Sequence, residues 1–226
     1  VLVGCNGIWD RNYDHRPDPY LFIEQSVELG NYALELGAAG VVYTVPEALT
    51  PHPGETVQGL IERFFRTLCE RVKGPIFVYQ PPQTQKEYEM TPATLGRLAA
   101  IRNFVGGKFS TADGFYTYEL IRAIRGKTFG YIVGNETMYY SGLALGARAC
   151  IGQGAALNPQ IIKAELERFR SGNYGGILRA QDAINTLVSQ NINAVDFLKM
   201  YASEKGFEVP LYTRSQRSNP YMSDPE

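Results

Sequence analysis

Seven lysines are present, and six of them (Lys73, Lys86, Lys127, Lys163, Lys199 and Lys205) fall on helix ends, loops or polar faces. Lys108 differs: it closes the run Phe104-Val105-Gly106-Gly107, which reads as a strand covered on both faces. An ammonium is costly to keep there, so burial is expected to lower the amine's pKa from its ordinary ~10.4. A neutral amine attacks a carbonyl carbon and forms an imine. Once protonated, the imine is an electron sink for making or breaking the adjacent carbon–carbon bond. The plain alternative is a solvated lysine at a strand exit. Tyr79 closes the preceding apolar run Ile76-Phe77-Val78. Neighbouring strands lie ~4.8 Å apart, so the Tyr79 hydroxyl can approach the Lys108 amine and relay a proton. The alternative for Tyr79 is an amphipathic ring at the edge of the core.

These side chains need a scaffold, and the sequence supplies one. Short apolar runs alternate with stretches of helical period. Strands are expected at Val1-Leu2-Val3, Val41 to Val45, Ile76 to Tyr79, Phe104 to Lys108, Tyr131-Ile132-Val133 and Ala149-Cys150-Ile151. Between them lie helical segments: Phe22 to Leu34 stopped by Gly37, Val57 to Val72 stopped by Gly74, and one opened by Thr91-Pro92. Further helices run from about Phe115 to Ile124 and from Thr137 to Leu145, with Asn158-Pro159 opening another. Two more, near Ile177–Val188 and Val195–Tyr201, precede a tail rich in Pro, Ser and Tyr from Pro210. Six strand–helix units with near-continuous apolar strands indicate an α/β fold with a covered parallel sheet. An open doubly wound sheet and a (β/α)₈ barrel both fit, the barrel needing eight such units.

In either architecture the chemistry belongs at the carboxyl ends of the strands. Those ends carry Gly4-Cys5-Asn6, Thr44, Tyr79-Gln80, Lys108, Gly134-Asn135-Glu136 and Ile151-Gly152-Gln153. His15 and His52 sit in proline-rich loops without a partner at metal-ligand spacing, so no metal site is expected. Gly172, Gly175 and Gly176 follow no strand and make no dinucleotide fingerprint. Phe64-Phe65 and Tyr139-Tyr140 fall on helices and read as core or as a subunit interface.

Composition narrows the function classes further. The 226 residues hold 22 Lys+Arg against 23 Asp+Glu with no basic block, which argues against a nucleic-acid footprint. No run approaches the roughly 18 apolar residues of a membrane helix. The opening Val1-Leu2-Val3-Gly4-Cys5 lacks a basic segment and a cleavage site, so no signal peptide is expected. Three unclustered cysteines, Cys5, Cys69 and Cys150, read as reduced thiols, which points to the cytoplasm.

The order and spacing of several segments resemble the dihydrodipicolinate synthase/N-acetylneuraminate lyase superfamily of class I pyruvate-dependent aldolases. The likeness runs from about residue 1 to 205 and rests on Gly37-Ala38-Ala39-Gly40 leading into Thr44-Val45-Pro46 and on Pro75 to Pro82. It continues through Val105-Gly106-Gly107-Lys108-Phe109-Ser110, Gly134-Asn135-Glu136, Ser141 to Ala147 and Cys150-Ile151-Gly152. The resemblance implies a TIM (β/α)₈ barrel with extra C-terminal helices. Residues 1–155 would correspond to strands 3 to 8, and 156–226 to the final barrel helix, the C-terminal helices and the tail, all in one structural domain. The first two βα units would then be absent from this chain.

The same resemblance implies that Lys108 forms the Schiff base and Tyr79 relays protons. Ser110, Gly134, Glu136 and Ile151 (through its backbone) would line the substrate pocket, and Gln153, beside Ile151 in the sequence, is a further substrate-binding candidate able to hydrogen-bond substrate hydroxyls. The implied partners are pyruvate or another 2-keto acid and an aldehyde, with no cofactor, metal, nucleic acid or membrane, in a homotetramer or homodimer. Several departures bear on the substrate. The Gly-Thr-Thr-Gly-Glu loop that holds the pyruvate carboxylate in the family is not found. Glu47-Ala48 stands where a tyrosine pair is expected, and Thr84 near the place of a substrate-binding arginine. Together with Phe109 and Val209-Pro210-Leu211, they favour a 2-keto-3-deoxy sugar acid or sialic-acid-like substrate over dihydrodipicolinate synthesis. A barrel kept only for binding is the rival from another class.

Overall fold

The computed structural model describes residues 1–152, 158–188 and 194–211. The chain divides into two compact units, Val1–Ala149 and Cys150–Glu226. In the first unit strands and helices alternate: β1 (Leu2–Gly4), α1 (Pro19–Glu35), β2 (Gly40–Thr44), α2 (Val57–Arg71), β3 (Ile76–Gln80), α3 (Pro92–Leu98) and β4 (Phe104–Phe109). They are followed by α4 (Gly114–Ala123), β5 (Gly130–Val133), α5 (Tyr139–Leu145) and β6 (Ala149–Cys150). The helices α6 (Pro159–Arg170), α7 (Tyr174–Val188) and α8 (Ala194–Glu204) belong to the second unit.

The sheet follows chain order, β1-β2-β3-β4-β5-β6, and the register is parallel from β1 to β5. A doubly wound sheet needs a point where strand order reverses, and this order has none. The barrel-type arrangement therefore stands, with six strands of it described.

The starts of α1 to α4 are capped by side chains, as expected at Thr91. The Asp18 carboxylate accepts the Leu21 N–H at 2.8 Å ahead of Pro19, and the Thr56 hydroxyl accepts the Gly59 N–H at 3.1 Å. Thr91 and Asp113 cap α3 and α4 in the same way. Gly37, at φ 91°, ends α1 in the left-handed region that an L side chain rarely adopts. Two expected boundaries differ. Helix α2 stops at Arg71 because Val72 turns to extended backbone, and Gly74 instead makes room for the Leu34 side chain, whose nearest carbon would lie 2.7 Å from an added Cβ. Asn158 makes no side-chain cap, so Pro159 alone marks the start of α6.

The two faces of the sheet differ. Val41, Tyr43, Ile76, Val78, Phe104, Phe109, Tyr131 and Val133 are 3% exposed or less and carry the helices. A run of rings fixes α2 there: Tyr43, Phe64, Phe65, Phe104 and Phe129 follow one another at centroid distances of 6.5, 5.2, 5.2 and 5.2 Å. The opposite face carries Val42, Phe77, Thr44, Tyr79, Lys108 and Ile132, all half-buried.

One irregularity decides which side of the sheet Lys108 joins. Ile76 pairs with Phe104 but Phe77 pairs with Gly106, so Val105 is an extra residue in β4. Without the bulge, strict alternation would send Lys108 to the helix-covered face, since a one-residue slip exchanges the faces. The two glycines after Val105 fit this crowding. A Cβ on Gly106 would lie 2.8 Å from the Phe77 ring, and one on Gly107 would lie 2.5 Å from the Val78 side chain. Gly107→Ala is therefore expected to lower stability by about 1–3 kcal/mol through overpacking, read as an earlier urea midpoint at unchanged slope.

In the second unit Ile177, Ala180 and Ile184 of α7 are buried, and the Arg168 guanidinium donates to the Gly176 carbonyl at 3.0 Å across the α6–α7 turn. Glu165 is fully buried, and neither carboxylate oxygen has a hydrogen-bond partner among the described residues. Burial disfavours its charged form and pushes the carboxyl up to about 7 from 4.5. The folded chain then binds more protons than the unfolded one between those values, so stability falls as pH rises through that window and levels off above it. The loss is up to ~3 kcal/mol at about 1.4 kcal/mol per pKa unit. Glu165→Gln is expected to flatten the dependence of the unfolding midpoint between pH 5 and 8; an unchanged slope would assign it to another group.

Candidate functional site

Register alone aligns one row of side chains near the carboxyl ends of the strands. Thr44 pairs with Tyr79, Tyr79 with Lys108, and Lys108 with Ile132, so the four share the half-open face. The Lys108 ammonium nitrogen lies over the Tyr79 ring, 4.7 Å from its centroid. The contact is thus made to the face of the ring, where the quadrupole attracts a cation. Both residues are half-buried, so the full burial expected for Lys108 is met only in part.

The strand ends beyond this pair carry more of the expected residues. Ser110 directly follows β4, and its N–H donates to the Gln80 carbonyl at 3.0 Å. Gly134 follows β5, with its N–H on the Phe109 carbonyl at 3.0 Å. A Cβ at Gly134 would collide with the Ser110 hydroxyl and lie 2.8 Å from the Phe109 oxygen, so only glycine lets these two strand ends meet. Glu136 is 4% exposed and opens a 3₁₀ turn, Glu136–Met138, whose start is held by Asn135 accepting the Thr137 N–H at 3.1 Å. Ile151 is exposed and belongs to the second unit. Gln153 lies outside the described residues.

Some residues that read only as strand ends or departures have defined work. Asn6 clamps Thr44 from both sides: its amide donates to the Thr44 hydroxyl at 2.8 Å and accepts the Thr44 N–H at 3.0 Å. A bond across 38 positions leaves no periodic trace; the one signal was a polar residue at each strand end. Glu47 is a tie between loops. Its Oε1 accepts the Gln85 N–H at 2.9 Å and the Tyr13 hydroxyl at 3.2 Å, while Arg16 donates to the Glu47 and Leu49 carbonyls at 2.6 and 2.9 Å. The Thr84 hydroxyl closes its own turn onto the Pro81 carbonyl at 2.9 Å. Among the described residues no three His, Cys, Asp or Glu side chains gather closely enough to share a metal ion. Nor is any helix there long and apolar enough to cross a membrane. Chemically, the row offers a nucleophilic amine, a phenol beside it and a hydroxyl whose proton is free to point outward.

Comparison with known proteins bears on the family and the fold. The family model of the dihydrodipicolinate synthetase family matches residues 23–217. A 4-hydroxy-tetrahydrodipicolinate synthase from Gluconacetobacter diazotrophicus is 28% identical over 164 residues, which is 72% of this chain and 53% of that protein. The chain thus spans about half the length of the curated relatives it matches. A prophage protein of the dihydrodipicolinic acid synthase family from E. coli K12, solved in complex with pyruvate, superposes with a TM-score of 0.75 at 20% identity. That superposition covers 97% of this chain and 69% of the prophage protein. N-acetylneuraminate lyase from Mycoplasma synoviae gives 0.68 at 20% identity, covering 90% and 65%. At these identities the superpositions speak for the fold, while the family model covers most of the sequence: the chain belongs to the dihydrodipicolinate synthetase family.

Proposed function

We propose that this chain carries the Schiff-base centre of a lyase that makes or breaks the bond between a 2-keto acid, pyruvate in the simplest case, and an aldehyde. The observation that carries it is the Lys108 amine stacked on Tyr79 in the same-face row of a sheet whose other face is closed. The amine attacks the keto carbon and loses water to give a protonated imine. Loss of a proton from the neighbouring carbon yields an enamine, which adds to the aldehyde; water then hydrolyses the imine and restores the amine. Cleavage runs the same steps backwards. Tyr79 is the proton carrier: its ring holds the cation and its hydroxyl serves the carbinolamine and the aldehyde oxygen.

Ser110 and Glu136 supply hydroxyl and carboxylate groups suited to a polyhydroxylated chain, and Gly134 lets the strand ends that carry them meet. A 2-keto-3-deoxy sugar acid or a sialic-acid-like compound therefore fits better than the dihydrodipicolinate precursor. The Thr84 hydroxyl, engaged by Pro81, offers no charge to a second carboxylate from that loop.

Incubation with pyruvate and borohydride is expected to fix a single pyruvate-derived adduct, mapped by peptide mass to Lys108. An adduct elsewhere, or none, ends the imine reading and leaves the binding-only alternative. Lys108→Ala should abolish pyruvate release from a panel of 2-keto-3-deoxy sugar acids. Tyr79→Phe should slow it by ~10²–10⁴-fold, the usual cost of a positioned acid–base group.

A further inference from the structure

A concavity lies at the same end of the sheet, over the carboxyl ends of β1 and β2. Its walls include Asn6, Trp9, Arg11, Thr44 and Glu47, and its volume is about 200 Å³. That is below the ~300 Å³ at which drug-sized pockets begin, and suits a fragment of three or four carbons. Thr44 connects it to the candidate centre, since Thr44 pairs with Tyr79 in the row that ends on Lys108. Two strand spacings of ~4.8 Å separate the Thr44 and Lys108 backbones, a gap that the two side chains and a six-carbon chain span together.

The lining is prepared for an anion. Asn6 donates to the Thr44 hydroxyl oxygen at 2.8 Å, so that hydroxyl accepts from the protein and keeps its own proton for a ligand. Arg11 makes no hydrogen bond or ion pair among the described residues, although it carries five N–H donors in a planar fork. Its backbone is costly to hold: φ is 64°, the one positive value at a residue other than glycine among the described residues. Left-handed backbone at an ordinary L residue costs roughly 1–2 kcal/mol. The surrounding loop enforces it. The Asp10 carboxylate accepts the Asn12 N–H at 2.9 Å, the Asn12 side chain accepts the Asp14 N–H at 3.0 Å, and Gly7 and Ile8 are pinned to Ser26 and Gln25 of α1. A glycine at position 11 would relieve the strain, yet this exposed position at the pocket wall carries an arginine.

We propose that this pocket binds the terminal carboxylate of a hydroxylated acceptor, with Arg11 holding the carboxylate and Thr44 donating to it, so that among the 2-keto-3-deoxy sugar acids the substrate is a diacid whose far end is also a carboxylate. The identity of the ligand as the far end of the substrate rests on the Schiff-base reading above; the anion site does not. Glu47 shares the pocket and is the counterweight. One of its oxygens is engaged by Tyr13 and Gln85, and the other is suited to accept from a ligand hydroxyl. One cation facing one carboxylate favours a singly charged hydroxy acid over a phosphate dianion.

Trp9, the one tryptophan of the chain, lines the pocket and reports on it without any chemistry at Lys108. D-glycerate is expected to change its emission saturably, and glycerol to leave it unchanged. Arg11→Gly fits the φ of 64° and so spares the loop; it should weaken glycerate at least tenfold, and Arg11→Lys should weaken it less. Equal responses to glycerate and glycerol, or unchanged affinity in Arg11→Gly, would overturn the proposal. Inorganic phosphate binding more tightly than glycerate would overturn the carboxylate assignment. The borohydride experiment separates the two readings: glycerate binding without an adduct on Lys108 removes the imine centre alone, and an adduct without Arg11-dependent binding removes the pocket alone.

Discussion

The extra residue in β4 is the constraint on which the candidate centre depends. Alternation in a strand is strict, so a side chain's face is fixed by counting from the last paired residue. Phe104 is counted onto the helix-covered face by its pairing with Ile76, and four residues later Lys108 would fall on that same face. The bulge at Val105 changes the parity. It costs one unpaired residue and requires backbone to pass where no Cβ fits, which is why Gly106 and Gly107 follow it. The Lys108–Tyr79 contact is thus a property of register before it is a property of either side chain.

The division between faces gives the centre its setting. The ring series from Tyr43 to Phe129 and the stacked pair Phe109–Tyr131, 5.0 Å apart, fix β2 to β5 rigidly from one side. Rigidity there lets the other face carry polar groups at defined positions without those groups having to hold the sheet together. A lysine and a tyrosine on a half-open face pay a smaller desolvation cost than in a closed core. In compensation the phenol ring supplies attraction to a cation, an interaction that serves an ammonium and a protonated imine alike.

Much of this was legible in the residues. Apolar runs, caps and stop signals located the strands and helices of the first unit to within a few residues, since each signal is local: Thr91 and Gly37 act on the turn beside them. Lys108 and Tyr79 stood out because a charge or a phenol at the end of an apolar run is unusual wherever the fold goes. The face they share was not legible, because the bulge is set by pairing between strands and alternation along β4 alone gives the opposite answer. The strand order was also hidden; only the coordinates removed the doubly wound alternative. Asn6–Thr44 and Glu47–Gln85 escaped for the same reason, each being a hydrogen bond across 38 positions.

Glu47 shows how a departure from a family pattern becomes structure. An aromatic residue at that place projects and packs; a carboxylate accepts. Here it accepts from the loop after β1 through Tyr13 and from the segment after β3 through the Gln85 backbone. Arg16 secures the same junction from the other side, bonding the Glu47 and Leu49 carbonyls and approaching the Tyr88 hydroxyl at 3.3 Å. Three loops are thereby joined at one buried acid, and the junction is stiff because a carboxylate that lost its donors would remain buried and unsatisfied. The loop after β1 is then not free to relax, which accounts for a backbone angle at Arg11 that an isolated loop would abandon. A carboxylate at position 47 thus alters what can stand at the rim beside Thr44 by fixing the neighbouring loop through one of its oxygens.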